Sequence, residues 1–147
     1  MACASFLIAA GPINAAEIKR SVPEILPDQP DEYSRMFTTL TRCSGFYMAM
    51  SALLDQQAQE YGETELEGGA ERSMKASFFL SQMLTEIMKE RGFTETEAEE
   101  NSAENTKVVT EAYVRRMKDN YAVNGSYTVD DDLMMADMKF CKELVEN

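Results

Sequence analysis

Cysteine is the most reactive side chain in this sequence, and two of its three cysteines sit where a reaction centre or a cross-link could be built. Cys43 lies inside the apolar stretch TRCSGFYMAMSALL, residues 41–54, and Cys141 lies inside MADMKFCKEL, residues 135–144. Two thiols can close a disulfide, give two thiolates to a metal, or run redox chemistry. Redox pairs favour a Cys-x-x-Cys spacing or a cationic setting that lowers a thiol pKa, and neither is present. A two-thiolate metal site needs further ligands, and the chain contains no histidine. That leaves a disulfide staple, or two buried thiols acting as small apolar side chains.

The absence of histidine reaches further. It excludes Ser-His-Asp and Cys-His nucleophile machinery, His-ligated zinc and the Glu-x-x-His di-iron bundle. Acid–base chemistry near neutral pH would fall to shifted carboxylates or lysine. No phosphate-binding loop, dinucleotide fingerprint or nucleophile elbow occurs either. The sequence therefore assigns no catalytic residue, no metal ligand and no cofactor, and predicts a non-enzyme.

Two weaker patterns invite metal readings. Eleven methionines include MAM at 48–50 and MMADM at 134–138, and thioethers bind Cu(I). Helical spacing instead puts Met36, Met50, Met74, Met88, Met134 and Met138 on predicted buried stripes, where methionine fills irregular space. NYAVNGSYTVDD, residues 120–131, has a faint calcium-loop outline, but Ala122 stands at the third position and Asp131 at the twelfth. It reads as a turn followed by a helix cap. Asn124-Gly125-Ser126 also spells a glycosylation sequon, a three-residue match that arises easily by chance.

The elements that would position these residues are helical. Residues 17–30 carry three of the four prolines, which predicts an extended lead-in. After Pro30 proline does not recur. Met36, Leu40, Cys43, Tyr47, Met50 and Leu54 recur at steps of three and four, so a first long helix is expected from Asp31 to Tyr61, closed by Gly62. A second opens at Thr64 with Glu67 as a capping box and ends near Gly92. Gly68-Gly69 weakens its first turn. A third opens with overlapping boxes at Thr94–Glu97 and Thr96–Glu99, and its early part, 101–106, has so little apolar surface that fraying is expected. A fourth follows a turn at 124–126, with Thr128 as its cap and Asp130–Asp132 in its first turn. Short connections argue for an all-α, up-down-up-down four-helix bundle over residues 31–147. In that arrangement Cys43 and Cys141 lie on neighbouring stripes at matching heights, which favours the staple.

The first sixteen residues read as a secretory signal. An apolar run, Ala4 to Ala10, is followed by Gly11-Pro12 and small residues, with cleavage expected after Ala15 or Ala16. Basic residues are missing before the run. Removing the segment takes Cys3 with it and leaves an even pair of cysteines for a periplasmic or secreted protein. The run is too short to span a bilayer.

Composition narrows the partners. With 26 acidic against 14 basic residues, a formal charge of −12, the surface repels nucleic acid and anionic lipid. Aromatic side chains exceed what one stripe per helix can bury, and adjacent Phe78 and Phe79 point in different directions, which makes them candidates for an interaction surface. The expected function is binding, to a protein partner or within an assembly, by a monomer or small homo-oligomer. The alternative is a carrier of a small ligand or Cu(I) in the bundle interior. An enzyme built on shifted carboxylates comes third.

Overall fold

The computed structural model describes residues 18–146. The expected signal segment and Cys3 lie outside them. Every regular element among the described residues is helical: α1 (Val22–Ile25), a 3-10 turn (Leu26–Asp28), α2 (Glu32–Tyr61), α3 (Thr64–Glu90), α4 (Glu95–Asn124) and α5 (Asp132–Glu146). None of these helices is long and apolar enough to cross a membrane.

Helix ends follow local chemistry. Asp31 caps α2 by accepting the Ser34 N–H at 2.7 Å, and Gly62 ends it in the left-handed conformation at φ 69°. Thr94 and Glu97 form the predicted capping box of α4. Three expectations are corrected. Glu63, not Thr64, is the N-cap of α3, without a side-chain cap bond, and Gly68-Gly69 stays inside the helix. A Cβ on Gly69 would stand 3.3 Å from Leu54 Cδ1, so a glycine there lets α3 run close to α2. Asp131, not Thr128, begins α5, its Oδ1 accepting the N–H groups of Leu133 and Met134 at 3.1 Å each. The 17–30 lead-in is not extended over residues 22–28. Ser21 and Glu24 form a capping box, and Pro23 and Pro27 occupy first-turn positions where a fixed φ and a missing N–H cost nothing.

Hydroxyls set how the long helices pack. Ser44 Oγ donates to Ser77 O at 3.0 Å, and Ser51 Oγ donates to Ala70 O at 2.9 Å, so α2 and α3 run antiparallel. Ser44 also meets Thr106 at 3.3 Å, and Phe46 packs edge-on against Tyr113 at 5.4 Å, so α4 runs parallel to α2. Gly45 allows this approach: a Cβ there would stand 2.5 Å from Val109 Cγ1. The expected fraying of residues 101–106 is absent because Ser102 bonds to Ser81 and Thr106 to Ser44. Polar side chains replace apolar ones along this seam, and burial is not lost.

α2 is the central element. All residues from Leu40 to Phe46 are buried, all the way round the helix, because α3, α4 and α5 each cover part of it. Leu80, Leu84, Val109, Met117 and Met134 complete the core. The predicted single stripe on α2 is therefore too narrow. Met36, expected within it, is exposed, and so is Met74 on α3.

Candidate functional site

Three side chains from three helices meet at the centre of the molecule. Asp137 of α5 is fully buried, and its Oδ2 accepts Arg42 Nη2 at 2.9 Å and Tyr113 Oη at 2.6 Å. Arg42 Nε donates to Tyr113 Oη at 3.1 Å, and the guanidinium lies 5.4 Å from the Tyr113 ring centre. Asp137 Oδ1 accepts the Val22 N–H at 2.5 Å, and Arg42 Nη2 also reaches Arg20 O at 3.0 Å. Burial pushes the Tyr113 hydroxyl well above its ordinary pKa, so it stays protonated and donates. Burial works against the charge on Arg42, but Tyr113 and Asp137 outweigh it and hold the guanidinium above its ordinary value. A buried ion pair is tolerated when hydrogen bonds satisfy its charged groups, and here both Asp137 oxygens and Arg42 Nε and Nη2 are bonded. The cluster acts as a brace joining residues 20–22, α2, α4 and α5.

A second brace lies beside it. Arg116 grips Asp131 through two bonds of 2.6 and 2.9 Å, and Asn120 adds a third at 2.7 Å. Arg116 Nη1 donates to Ile18 O at 2.8 Å. Burial alone would raise the Asp131 pKa. The bonds from Arg116, Asn120 and Met134 N–H overcome that and hold the carboxyl at about 2. Asn120 and Asp131 belong to the faint calcium-loop outline, residues 120–131. Asn124 and Gly125 end α4, Gly125 at φ 75°, while Asp131 starts α5 and Asn120 ties the two together. Among the described residues no group of three or more His, Cys, Asp or Glu is placed to hold a metal ion.

Cys43 and Cys141 form a disulfide with Cα atoms 5.3 Å apart, closing a loop of 98 residues. Both cysteines are fully buried. Cys43 follows Arg42 directly, and Cys141 lies one helical turn beyond Asp137, so the covalent and ionic ties share one crossing of α2 and α5.

The outer surface holds the other predicted residues. Phe78 and Phe79 are 63% and 54% exposed, with Met74 and Met83 exposed on the same helix. Successive residues on a helix point about 100° apart, so the two rings face different ways. Phe78 lines a groove of about 580 Å³ between α3 and α4, and Phe79 does not. Ser81, Gln82, Thr85 and Glu86 continue its α3 wall, and Glu95, Glu99, Ser102 and Ala103 form its α4 wall. Its floor is narrow because Ser81 and Ser102 join the helices at 2.9 Å. No lysine or arginine lines it. Lys89 pairs from outside with Glu86 at 3.1 Å and Glu95 at 3.7 Å.

Other hollows among the described residues are smaller or more polar. One of about 110 Å³ between α2 and α4 is lined by Ala49, Leu53, Val114, Met117 and Tyr127, among others. One of about 500 Å³ lies where residues 19–24 meet the start of α5. The methionines share no common setting: Met88 and Met134 are buried, Met50 and Met138 half-buried, Met36 and Met74 exposed.

No protein-family model, curated protein or solved structure matches this chain.

Sequence reading missed both braces, although a signal was available. Asp137 stands three residues after Met134 and four before Cys141, inside the apolar stripe of its own helix. Arg116 follows Val109 and Tyr113 at helical spacing in the same way. A charged residue on a buried stripe needs a partner, and these two have theirs.

Proposed function

We propose that this chain is an exported, disulfide-braced helical binding protein whose α3–α4 groove docks a cationic, amphipathic segment of a protein partner. The observation that carries this reading is Phe78, an exposed aromatic ring on the wall of a groove that bears Glu99, together with Glu86 and Glu95 that share Lys89 between them, and no basic lining residue. An apolar anchor against an aromatic ring, ringed by charge pairs, is how amphipathic helices are read in grooves. The acidic excess of the whole chain would steer such a partner in and keep nucleic acid out. Export is supported by the buried disulfide and by the signal-like opening of the sequence. The complete path, an up-down-up-down bundle with α5 as its short fourth member, belongs to this reading. It is supported by the alternation of α2, α3 and α4, and by contacts of Asp131 and Asp137 with progressively earlier residues of α4.

The reading is tested with two designed helical peptides of equal hydrophobicity, one lysine-faced and one glutamate-faced, titrated by calorimetry. The lysine-faced peptide should bind the wild-type chain, weaken with added salt, and lose about tenfold or more with Phe78→Ser, a change on the scale of an interface anchor. Equal binding of both peptides, or unchanged binding by the Phe78→Ser protein, contradicts it.

A further inference from the structure

Residues 18–25 form a strap across three helices, α2, α4 and α5, which hold it largely by its main chain. Val22 N–H donates to Asp137 Oδ1, Arg20 O accepts from Arg42, and Ile18 O accepts from Arg116. Two apolar side chains four residues apart are sunk into the body, Ile18 at 5% exposure and Val22 at 0%. Main-chain bonds for affinity, with pockets for regularly spaced side chains, are the marks of a peptide-acceptor site. Here the acceptor is filled by its own chain.

The strap carries its own local structure. Ser21 and Glu24 close a capping box within it, and Arg20 pairs with Asp28 of the connecting turn at 2.6 Å. It joins α2 only through residues 26–31, where Pro27, Asp28 and Pro30 are exposed. The polar hollow beside Lys19, Ser21 and Glu24 leaves one side of the strap loosely packed. Simple opening would take main-chain partners from Asp137, Arg42 and Arg116 and expose the apolar seats of Ile18 and Val22 to water, a large penalty. Exchange avoids that penalty, because a strap from another copy makes the same bonds.

We propose that this cradle, built from Arg42, Arg116 and Asp137, accepts the strap of a second copy and gives a strap-exchanged dimer. The inference stands independently of the α3–α4 groove. Equal amounts of isotopically light and heavy full-length chain are unfolded in urea with the disulfide intact, refolded together at high concentration, and separated by size. A carbodiimide then joins Lys19 to Asp130 or Asp132, which line the same hollow. Peptide mass spectrometry should find about half of the cross-linked pairs in the dimer fraction carrying one light and one heavy partner, as random exchange requires. Val22→Asp should abolish these mixed pairs. Same-isotope pairs alone in the wild type overturn the proposal. So do mixed pairs that persist in a folded Val22→Asp protein. If that variant does not fold, the wild-type isotope pairing decides.

Discussion

Removing the disulfide should cost the protein a large share of its stability. Replacing both Cys43 and Cys141 with alanine opens a loop of 98 residues. In the chain-entropy treatment a loop of that length constrains the unfolded chain by about 4.7 kcal/mol at 25 °C. A domain of this size is stable by about 5–15 kcal/mol in total, so the loss is a large share. At roughly 2–4 °C per kcal/mol, Tm should fall by roughly 10–20 °C. Both cysteines are fully buried, so the loss of two sulfurs adds a small cavity cost in the same direction. The brace of Arg42, Tyr113 and Asp137 still holds α5 in place, so helical circular dichroism at 20 °C should be unchanged. The assay is thermal and urea unfolding of the oxidised protein and the double variant. The urea slope should rise in the variant, because its unfolded chain expands further. A Tm drop below about 3 °C with an unchanged slope would refute the reasoning and leave the disulfide a bystander to packing that is already sufficient.

Three further outcomes follow from the braces and the packing. Asp137→Asn removes the charge facing buried Arg42 and should destabilise by about 3–5 kcal/mol, while Arg42→Met with Asp137→Leu should recover only part of that in urea unfolding, because the Val22 N–H and the Tyr113 hydroxyl lose their buried acceptor. Asp131 is held at about 2 against an ordinary 3.8, so its stabilisation is complete above pH 4 and is lost as pH falls towards 2. Discounted for the partial exposure of Arg116, that loss is about 1–2 kcal/mol, and Asp131→Asn should flatten this part of the stability–pH curve. Gly45→Ala should destabilise by about 1–3 kcal/mol in thermal melts despite its better helix propensity, because the new Cβ meets Val109 at 2.5 Å and the Thr110 backbone at 3.0 Å.

Much of the helical content was legible because it rests on local chemistry. Asp31, Gly62, Thr94 and Gly125 mark helix ends through their own side chains or backbone freedom, and the structure uses each of them. The cysteine pairing was legible from stripe and height. What was hidden depends on which faces meet. Nothing local in residues 40–46 says that three helices surround α2, so Arg42 and Ser44 read as breaks in a stripe rather than as partners across one. The start of α5 was missed for a related reason. Thr128 and Asp131 are both competent caps, and Asp131 has Arg116 and Asn120 to fix it. Met36 and Met74 fit an apolar period, but no opposing helix covers them. Phe78 could be singled out as surplus to one stripe, whereas the groove it lines exists only once α4 lies beside α3.

Amide chemical-shift mapping tests the central claim most directly. Isotope-labelled protein would be titrated with the lysine-faced helical peptide at low salt. Shifts should concentrate in residues 78–86 and 95–103, the two walls of the α3–α4 groove, and should be lost with Phe78→Ser. Shifts confined to the small hollow between α2 and α4, or no shifts in the groove at saturating peptide, would contradict it.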